Sequence, residues 1–437
     1  MNAPGLARTY SMSIVGIEGH LVDVETYAGS GLVAFTLVGL LDTSVREARD
    51  RVRAAFESCG LDVLDQRITV NLSPAGIPKS GSAFDLAIAA SVALATGLVS
   101  PLAFEDTVII GELALDGSIQ PVRGVLPAVL AARSRGVRRV IVPTACAREA
   151  SLVSGIEAVP FAHLADLIAW AGGEAVKAPF HGRLDIDSRT GAAHAEHAVD
   201  MSDVRGQPEA VAAMEVAAAG GHNLIMLGPP GSGKSMMAKR LPSILPPLTL
   251  AESLETTQIH SIAGRLGSGT SLISQRPFRA PHHTISEAAL VGGGANPMPG
   301  EISLAHHGVL FCDELPEFNK HTLEVLRQPL EDRMITISRA KYNIEFPCSF
   351  MFVASMNPCP CGYYGDPTHH CVCTPGQIQH YMNKISGPLL DRIDIQCEIT
   401  PVPFKDISKA SPGEPSEAIR QRVIRAREIQ TERFRNV

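Results

Sequence analysis

The sequence predicts an α/β protein built from two unlike domains. Short β-rich runs alternate with helical runs up to about Gly173. A Gly-, Ala-, His- and Asp-rich stretch without apolar periodicity follows, from Lys177 to Asp200. Beyond it, a strand-like run opens directly onto a glycine-rich loop of the kind that cradles phosphates. The expected organisation is therefore a first domain over residues 1–175, a linker over 176–200, a second domain over 201–400 and a C-terminal segment over 401–437.

In the first domain the runs Ser13–Ile17, Leu21–Tyr27, Val33–Val38, Ile68–Leu72, Val108–Leu115 and Arg138–Pro143 read as strands. Asp42 to Cys59 is the clearest helix, with Asp42 or Thr43 to cap its start and Gly60 to close its end. Its arginines (Arg46, Arg49, Arg51, Arg53) suit a solvated or inter-subunit face, the other reading being a nucleic-acid face. Leu86–Val99, interrupted by Ser91, Thr96 and Gly97, falls short of the ~20 apolar residues of a bilayer span and reads as a buried helix. Met1–Ser13 lacks the charged, apolar and small-residue order of a secretory signal, so the cytoplasm is expected and no membrane contact.

Composition narrows the function classes. With 437 residues, 45% apolar and 19% charged, the chain can bury large cores, which excludes a disordered protein. A net charge of −7 argues against a uniformly basic nucleic-acid binder while leaving room for local basic loops facing a channel. Nine cysteines, four of them crowded between Cys359 and Cys373, suit a reducing compartment with one metal or redox site better than a disulfide framework.

The second domain carries the chemistry. Gly228, Pro229, Pro230, Gly231, Ser232, Gly233, Lys234 and Ser235 match G-x-x-x-x-G-K-[ST] in full, after the strand-like Asn223–Leu227 and before a helical run from Met236 to Leu241. Backbone N–H groups there would wrap phosphates at a helix N-terminus, Lys234 would neutralise the terminal phosphates of ATP, and Ser235 would hold Mg²⁺. Gly308–Glu314 is an apolar run ending in two acids, the place where an open α/β sheet delivers its ligand chemistry. Asp313 would orient hydrated Mg²⁺ and Glu314 would activate the attacking water, whereas the plainer reading is a helix-capping acid pair. A further strand, Ser349–Ser355, leads to Asn357, whose amide can position that water.

A phosphate loop, an Asp-Glu strand end and a strand ending in Asn resemble an AAA+ module. The finer resemblance, over essentially the whole chain, is to the ComM/YifB family of magnesium-chelatase-like AAA+ ATPases. Arg276–Thr284 (RPFRAPHHT), the Gly292–Gly294 and Pro297–Glu301 stretch, and Cys359–Gly362 (CPCG) carry it. The resemblance implies an insertion between Lys234 and Asp313 and a β-hairpin before the Asn strand. Arg333–Phe346 fits that hairpin, with Ile335, Ile337, Ile344 and Phe346 alternating about a polar tip at Arg339 and Lys341. In a six-membered ring, Arg339 and Lys341 would line a pore and track a nucleic-acid backbone; the other reading is an ordinary exposed hairpin. Leu389–Asp394 resembles the family segment that supplies an arginine finger to the neighbouring subunit, making Arg392 the candidate, with an ion pair to Asp391 or Asp394 as its alternative.

Cys359, Cys361, Cys371 and Cys373 can supply four thiolates to a structural Zn²⁺, with His369 or His370 able to replace one; a metal-free cysteine cluster is the alternative. Cys59, Cys146, Cys312, Cys348 and Cys397 read as core thiols.

The first domain resembles the protease domain of Lon within the ribosomal-S5-like α+β fold, through Pro78–Ala83, Gly111–Gly117 and Pro121–Gly124. A Ser-Lys dyad requires both residues at matched sites. Ala83 falls where the nucleophile belongs and Leu126–Val129 holds no lysine, so the expected domain is a cap without its dyad, a Ser82–Lys79 variant being the alternative. The resemblance also implies a helical lid with a second sensor arginine. The chain reaches Val437 within a basic helix from about Ser416, where Arg420, Arg422, Arg425 and Arg427 match no sensor motif, so a truncated lid is expected and full turnover stays open. The function implied is a cytoplasmic, hexameric ATPase moving on single-stranded or branched DNA, a branch-migration helicase aiding recombination during natural transformation. Against it stand a chelatase-type protein-remodelling motor and a non-catalytic nucleotide-binding scaffold or Lon-like peptidase.

Overall fold

The computed structural model describes residues 5–61, 65–173, 199–266, 272–294, 297–339, 342–366, 369–402 and 411–435; the expected hairpin-tip residue Lys341, the side chain of Arg339 and nearly all of the expected linker lie outside that description. Two compact units divide the chain: Met1–Asp187 together with Thr257–Leu272, and Ser188–Thr256 together with Ile273–Val437.

The first unit is a seven-stranded mixed sheet in the spatial order Ala34–Val38, Arg67–Ser73, Glu18–Gly29, Leu6–Val15, Thr107–Ile109, Arg139–Pro143, Glu157–Phe161. Leu6–Val15 and Glu18–Gly29 form a long antiparallel hairpin with Val15 opposite Glu18. The expected strand at Ser13–Ile17 is corrected: Gly16, at φ 62°, turns the chain where a side chain is disfavoured, so the strand ends at Val15 and Ile17 belongs to the turn. The strand Glu157–Phe161 escapes the sequence reading because Pro160 reads as a breaker, yet the strand lies at the sheet edge, where a missing N–H is tolerated.

Thr43–Ser58 is helical as expected, with the Asp42 carboxylate accepting from Val45 N at 2.9 Å and Gly60 left-handed just beyond the end. Three of its four arginines are paired: Arg49 with Asp50, Arg53 with Glu57, and Arg51 with the fully buried Asp85 through contacts of 2.6 and 2.9 Å. Arg51 thereby ties this helix to Asp85–Ala95, a helix with Leu86–Ala90 wholly inside the core. That burial accounts for the apolar run from Leu86, and no described helix is long and apolar enough to cross a membrane.

The second unit holds a five-stranded parallel sheet in the order Phe278–Arg279, Val309–Cys312, Met351–Met356, Leu224–Leu227, Ile395–Glu398. Numbered along the chain, this is 2-3-4-1-5, with a crossover after every strand. Val309–Cys312 and Met351–Met356 are buried at every position, which is why they read as unbroken apolar runs rather than alternating ones. The helix Lys234–Ile244 buries Met237, Ala238, Leu241 and Ile244 against this core, and Ser416–Arg433 adds Ile419 and Val423. Met334–Arg339 and Tyr342–Pro347 form the expected hairpin, with Arg339 opposite Tyr342. Ile335, Ile337, Ile344 and Phe346 all point inward and are buried, as their spacing requires.

Candidate active site

Parallel strands deliver their C-terminal ends to one edge of the sheet, and the expected site residues follow those ends. Leu227 leads into the phosphate loop, Cys312 into Asp313 and Glu314, and Met356 into Asn357.

The loop is held open by close backbone packing. A Cβ on Gly228 would stand 2.3 Å from the Ile399 carbonyl oxygen, so only glycine lets the loop lie against that strand end, and Gly228 N donates to Met356 O at 3.2 Å. Gly233, at φ 93°, caps the helix that begins at Lys234, so the loop runs straight into a helix N-terminus, where free amides favour an anion.

Lys234 is buried, and its partners are all neutral oxygens: Gly228 O at 2.7 Å, Pro229 O at 2.9 Å, Asn357 Oδ1 at 3.2 Å and Ser232 Oγ at 3.5 Å. Burial pulls its ammonium below the ordinary lysine value, while the charges of Asp313 and Glu314 pull it back up. A buried cation with neutral partners is electrostatically matched to an entering polyanion. Ser235 Oγ donates to Asp313 Oδ2 at 2.6 Å, so the hydroxyl and carboxylate oxygens suited to Mg²⁺ converge. The other oxygen of Asp313 accepts from Ser355 Oγ and from Glu314 N at 3.1 Å, which fixes the carboxylate plane.

Glu314 stands half-exposed at the strand end, with a left-handed backbone at φ 53° and its N–H also donating to Ser355 Oγ at 3.2 Å. His283 approaches it, Nδ1 to Oε2 at 3.9 Å. Lys234 with Asn357 and Ser235 with Asp313 thus form two bonded pairs, brought side by side by the adjacency of Lys234 and Ser235, with Glu314 adjoining Asp313.

Two residues of this neighbourhood, Gln207 and Ser355, carry no signal in the sequence, and a third, His283, lies in the RPFRAPHHT stretch, which by itself marks no role for it. Gln207 ties the loop from its N-terminal flank, Nε2 donating to Ser232 O at 2.9 Å and Thr400 O at 3.3 Å. Ser355 orients Asp313, and His283 faces Glu314. Only the Pro208 that opens a helix after Gln207 hints at an ordered flank.

Arg392 lies elsewhere. Its carbonyl accepts from the side chain of Asn223, immediately before the strand whose far end carries the phosphate loop, and its guanidinium pairs with Glu331. Asp394 is engaged by Asn223 N at 2.8 Å, so neither Asp391 nor Asp394 is its salt-bridge partner. Arg392 is therefore at the opposite end of the strand Leu224–Leu227 from Lys234 of the same chain.

The four cysteines meet. Cys359 Sγ lies 3.3 Å from Cys361 Sγ and 3.7 Å from Cys371 Sγ, Cys361 and Cys371 are 3.6 Å apart, and Cys373 Sγ accepts from Cys361 N at 3.4 Å. All four sulfurs lie within 4.8 Å of one another. Amides of Tyr363 and Val372 bring the Cys361 thiol down to about 6. A tetrahedral zinc with bonds of ~2.3 Å sets its sulfurs about 3.8 Å apart, so the cluster fits that ion. Glu255, His306 and His307 also converge, with Glu255 Oε2 at 2.7 Å from His307 Nε2 and 3.3 Å from His306 Nε2. There, however, His306 Nδ1 accepts from Ser349 N at 2.9 Å, so in the neutral ring Nε2 carries the proton and donates to Glu255 rather than ligating a metal. Cys312 and Cys348 are buried, and burial pushes both thiols up to about 12, as inert core cysteines require.

In the first unit Ser82 Oγ donates to Glu112, while the buried Lys79 donates to Pro74 O. Serine and lysine are engaged with different partners, so no Ser82–Lys79 dyad is assembled.

Comparison with known proteins agrees with this geometry. The family model described as magnesium chelatase, subunit ChlI, matches residues 200–407, and a second, described as subunit ChlI of Mg-chelatase, matches residues 24–146. An uncharacterized protein of Mycobacterium tuberculosis strain H37Rv is 46% identical over 431 residues, covering 98% of this chain and 84% of the relative. Competence protein ComM of Haemophilus influenzae is 43% identical over 429 residues, covering 98% and 83%, and the uncharacterized protein YifB of Escherichia coli K12 is 41% identical with the same coverage. A shorter stretch is 28% identical over 180 residues to the Lon protease of Mycolicibacterium smegmatis, covering 38% of this chain and 22% of that protein. Identity of this extent to ComM and YifB shows that the chain belongs to the ComM/YifB family of magnesium-chelatase-like AAA+ ATPases.

Proposed function

We propose that the protein hydrolyses ATP in a ring, most simply a hexamer, and uses the cycle to move on single-stranded or branched DNA, as a branch-migration helicase supporting recombination during natural transformation. The observation that carries the ATPase part is the convergence of Lys234, Ser235, Asp313 and Asn357, with Glu314 beside them, at the ends of three neighbouring parallel strands. The DNA part draws on the similarity to a protein named for competence and on the hairpin of Met334–Arg339 with Tyr342–Pro347, together with the cations Arg339 and Lys341 that the sequence supplies there.

Each residue has a stated task. The loop amides and Lys234 bind the triphosphate and neutralise its terminal charge. Ser235 and Asp313 would hold Mg²⁺, which supplies electrostatic stabilisation of the phosphoryl oxygens. Glu314 takes the proton of the attacking water, and Asn357 orients that water or the terminal phosphate. Arg392, remote from its own loop, acts on the ATP of a neighbouring subunit. The four cysteines hold a structural Zn²⁺. The first unit serves as a cap for assembly or for guiding DNA, without peptidase activity.

The match to a chelatase-subunit model favours one second reading, a motor that remodels a protein partner. ATPase rate with and without forked DNA separates the two. Stimulation that disappears in Arg339→Ala/Lys341→Ala, with ATP-dependent strand displacement by the unaltered protein, is expected of the DNA motor. A rate indifferent to DNA and no displacement would leave the remodelling reading.

A further inference from the structure

We propose that the four-cysteine loop is a metal-set brace for the phosphate loop, so that the affinity for ATP depends on zinc loading. The inference rests on the zinc reading above and adds to it a regulatory consequence for the nucleotide site.

Three contacts and a shared cavity join the two loops within a short span. Met356 O accepts from Gly228 N at 3.2 Å, and the next residue, Asn357, accepts from Lys234 Nζ at 3.2 Å. Two residues further on, Cys359 is fully buried. Gly362 then sits directly on the phosphate loop: a Cβ there would stand 2.6 Å from Pro230 Cδ and 2.7 Å from Pro230 Cγ. Finally, a cavity of about 380 Å³ has Gly228 and Pro229 on one wall and Pro358, Tyr364, Gly365 and Asp366 on another.

No helix or strand orders residues 357–366, so the loop's shape depends on what ties its ends together. Thiols are weak hydrogen-bond donors and hold such a loop poorly. A cation bonded to Cys359, Cys361, Cys371 and Cys373 closes it covalently at both ends, and the observed sulfur spacing already suits one. With the metal in place, Asn357 and Gly362 are presented to Lys234 and Pro230 in fixed positions. Without it, both supports are free to move, and the loop that must organise its amides around the triphosphate loses preorganisation.

The test uses the whole chain. Zinc per chain is measured by elemental analysis, and the Kd of a fluorescent ATP analogue is measured at constant excess Mg²⁺ before stripping, after stripping with a zinc-selective chelator and after zinc is restored. The expected result is about one zinc per chain, a Kd at least about tenfold weaker after stripping, and recovery with Zn²⁺ but not with additional Mg²⁺. Gly362→Ala is expected to retain zinc and bind ATP more weakly, because Pro230 must shift to admit the methyl group. Should stripping also reduce the far-UV circular dichroism, Gly362→Ala decides alone. Less than half an equivalent of zinc would remove the zinc reading and this inference with it. One equivalent of zinc, with an unchanged Kd after stripping and in Gly362→Ala, would overturn the brace while leaving the structural zinc site standing.

Discussion

Lys234 donates to loop carbonyls and to Asn357, contacts that an arriving triphosphate must exchange for charge-assisted ones. Hydrogen bonds to charged groups contribute about 1.5–3 kcal/mol each, so Lys234→Ala is expected to weaken ATP binding by roughly 10- to 150-fold in a fluorescent-nucleotide titration. Glu314 has a different task and predicts a different outcome. Because it adjoins the cluster without bonding to Lys234 or Ser235, Glu314→Gln should still retain Mg-ATP while turnover falls about 10²- to 10⁴-fold in single-turnover assays. Equal loss of binding and turnover would instead assign Glu314 to nucleotide retention.

The turn before Val309–Cys312 is fastened by a histidine kept neutral. His306 accepts from Ser349 N and donates to Glu255, and burial first, with the neighbouring His307 charge second, lowers it to about 4. Between pH 6.5 and 4 the unfolded chain therefore binds a proton that the folded one does not. Stability is full above the ordinary histidine value and falls as the solution is acidified through that window, by about 2 kcal/mol at pH 5. Thermal melts at pH 7 and pH 5 should show this loss, and His306→Asn should flatten it; an equally steep slope in the variant would place the sensitivity in other groups. In the hairpin, Phe346 is fully buried, and Phe346→Ala should cost about 3–5 kcal/mol of stability in denaturant unfolding. Elements of this kind were legible in the sequence where one local rule governs. Alternation announced the Met334–Pro347 hairpin, a capping Asp announced Thr43–Ser58, and the phosphate loop declared its own strand and helix. Elements whose shape depends on distant partners were not: the edge strand containing Pro160, the turn at Gly16, and the grouping of Thr257–Leu272 with the first unit, where Ser261 donates to Glu149.

At the scale of the whole molecule, the proposed mechanism draws on more than one chain. Motif residues that converge on the site were readable from spacing alone, whereas Gln207, Ser355 and the Glu331 partner of Arg392 come from segments far apart in sequence and are brought in only by the sheet order. That order puts Arg392 beside Asn223, at the start of the strand Leu224–Leu227, and Lys234 beyond its end. A four-residue strand at ~3.3 Å per residue separates the two by roughly 13 Å before the loop is counted. Arg392 is thus far from its own phosphate loop, and the proposed role on another subunit's nucleotide requires it to release Glu331. A mixing experiment reads this directly. Lys234→Ala subunits lack a working nucleotide site but keep the arginine, while Arg392→Ala subunits keep the site and lack the arginine. Each should be nearly inactive alone, and a mixture at equal concentration should recover a measurable fraction of the ATPase rate, because some interfaces then join an intact loop to an intact arginine. The recovery should rise with protein concentration as rings assemble. If Arg392 serves only the Glu331 pair, the single variant will lose stability rather than turnover, and the mixture will equal the sum of its parts at every concentration.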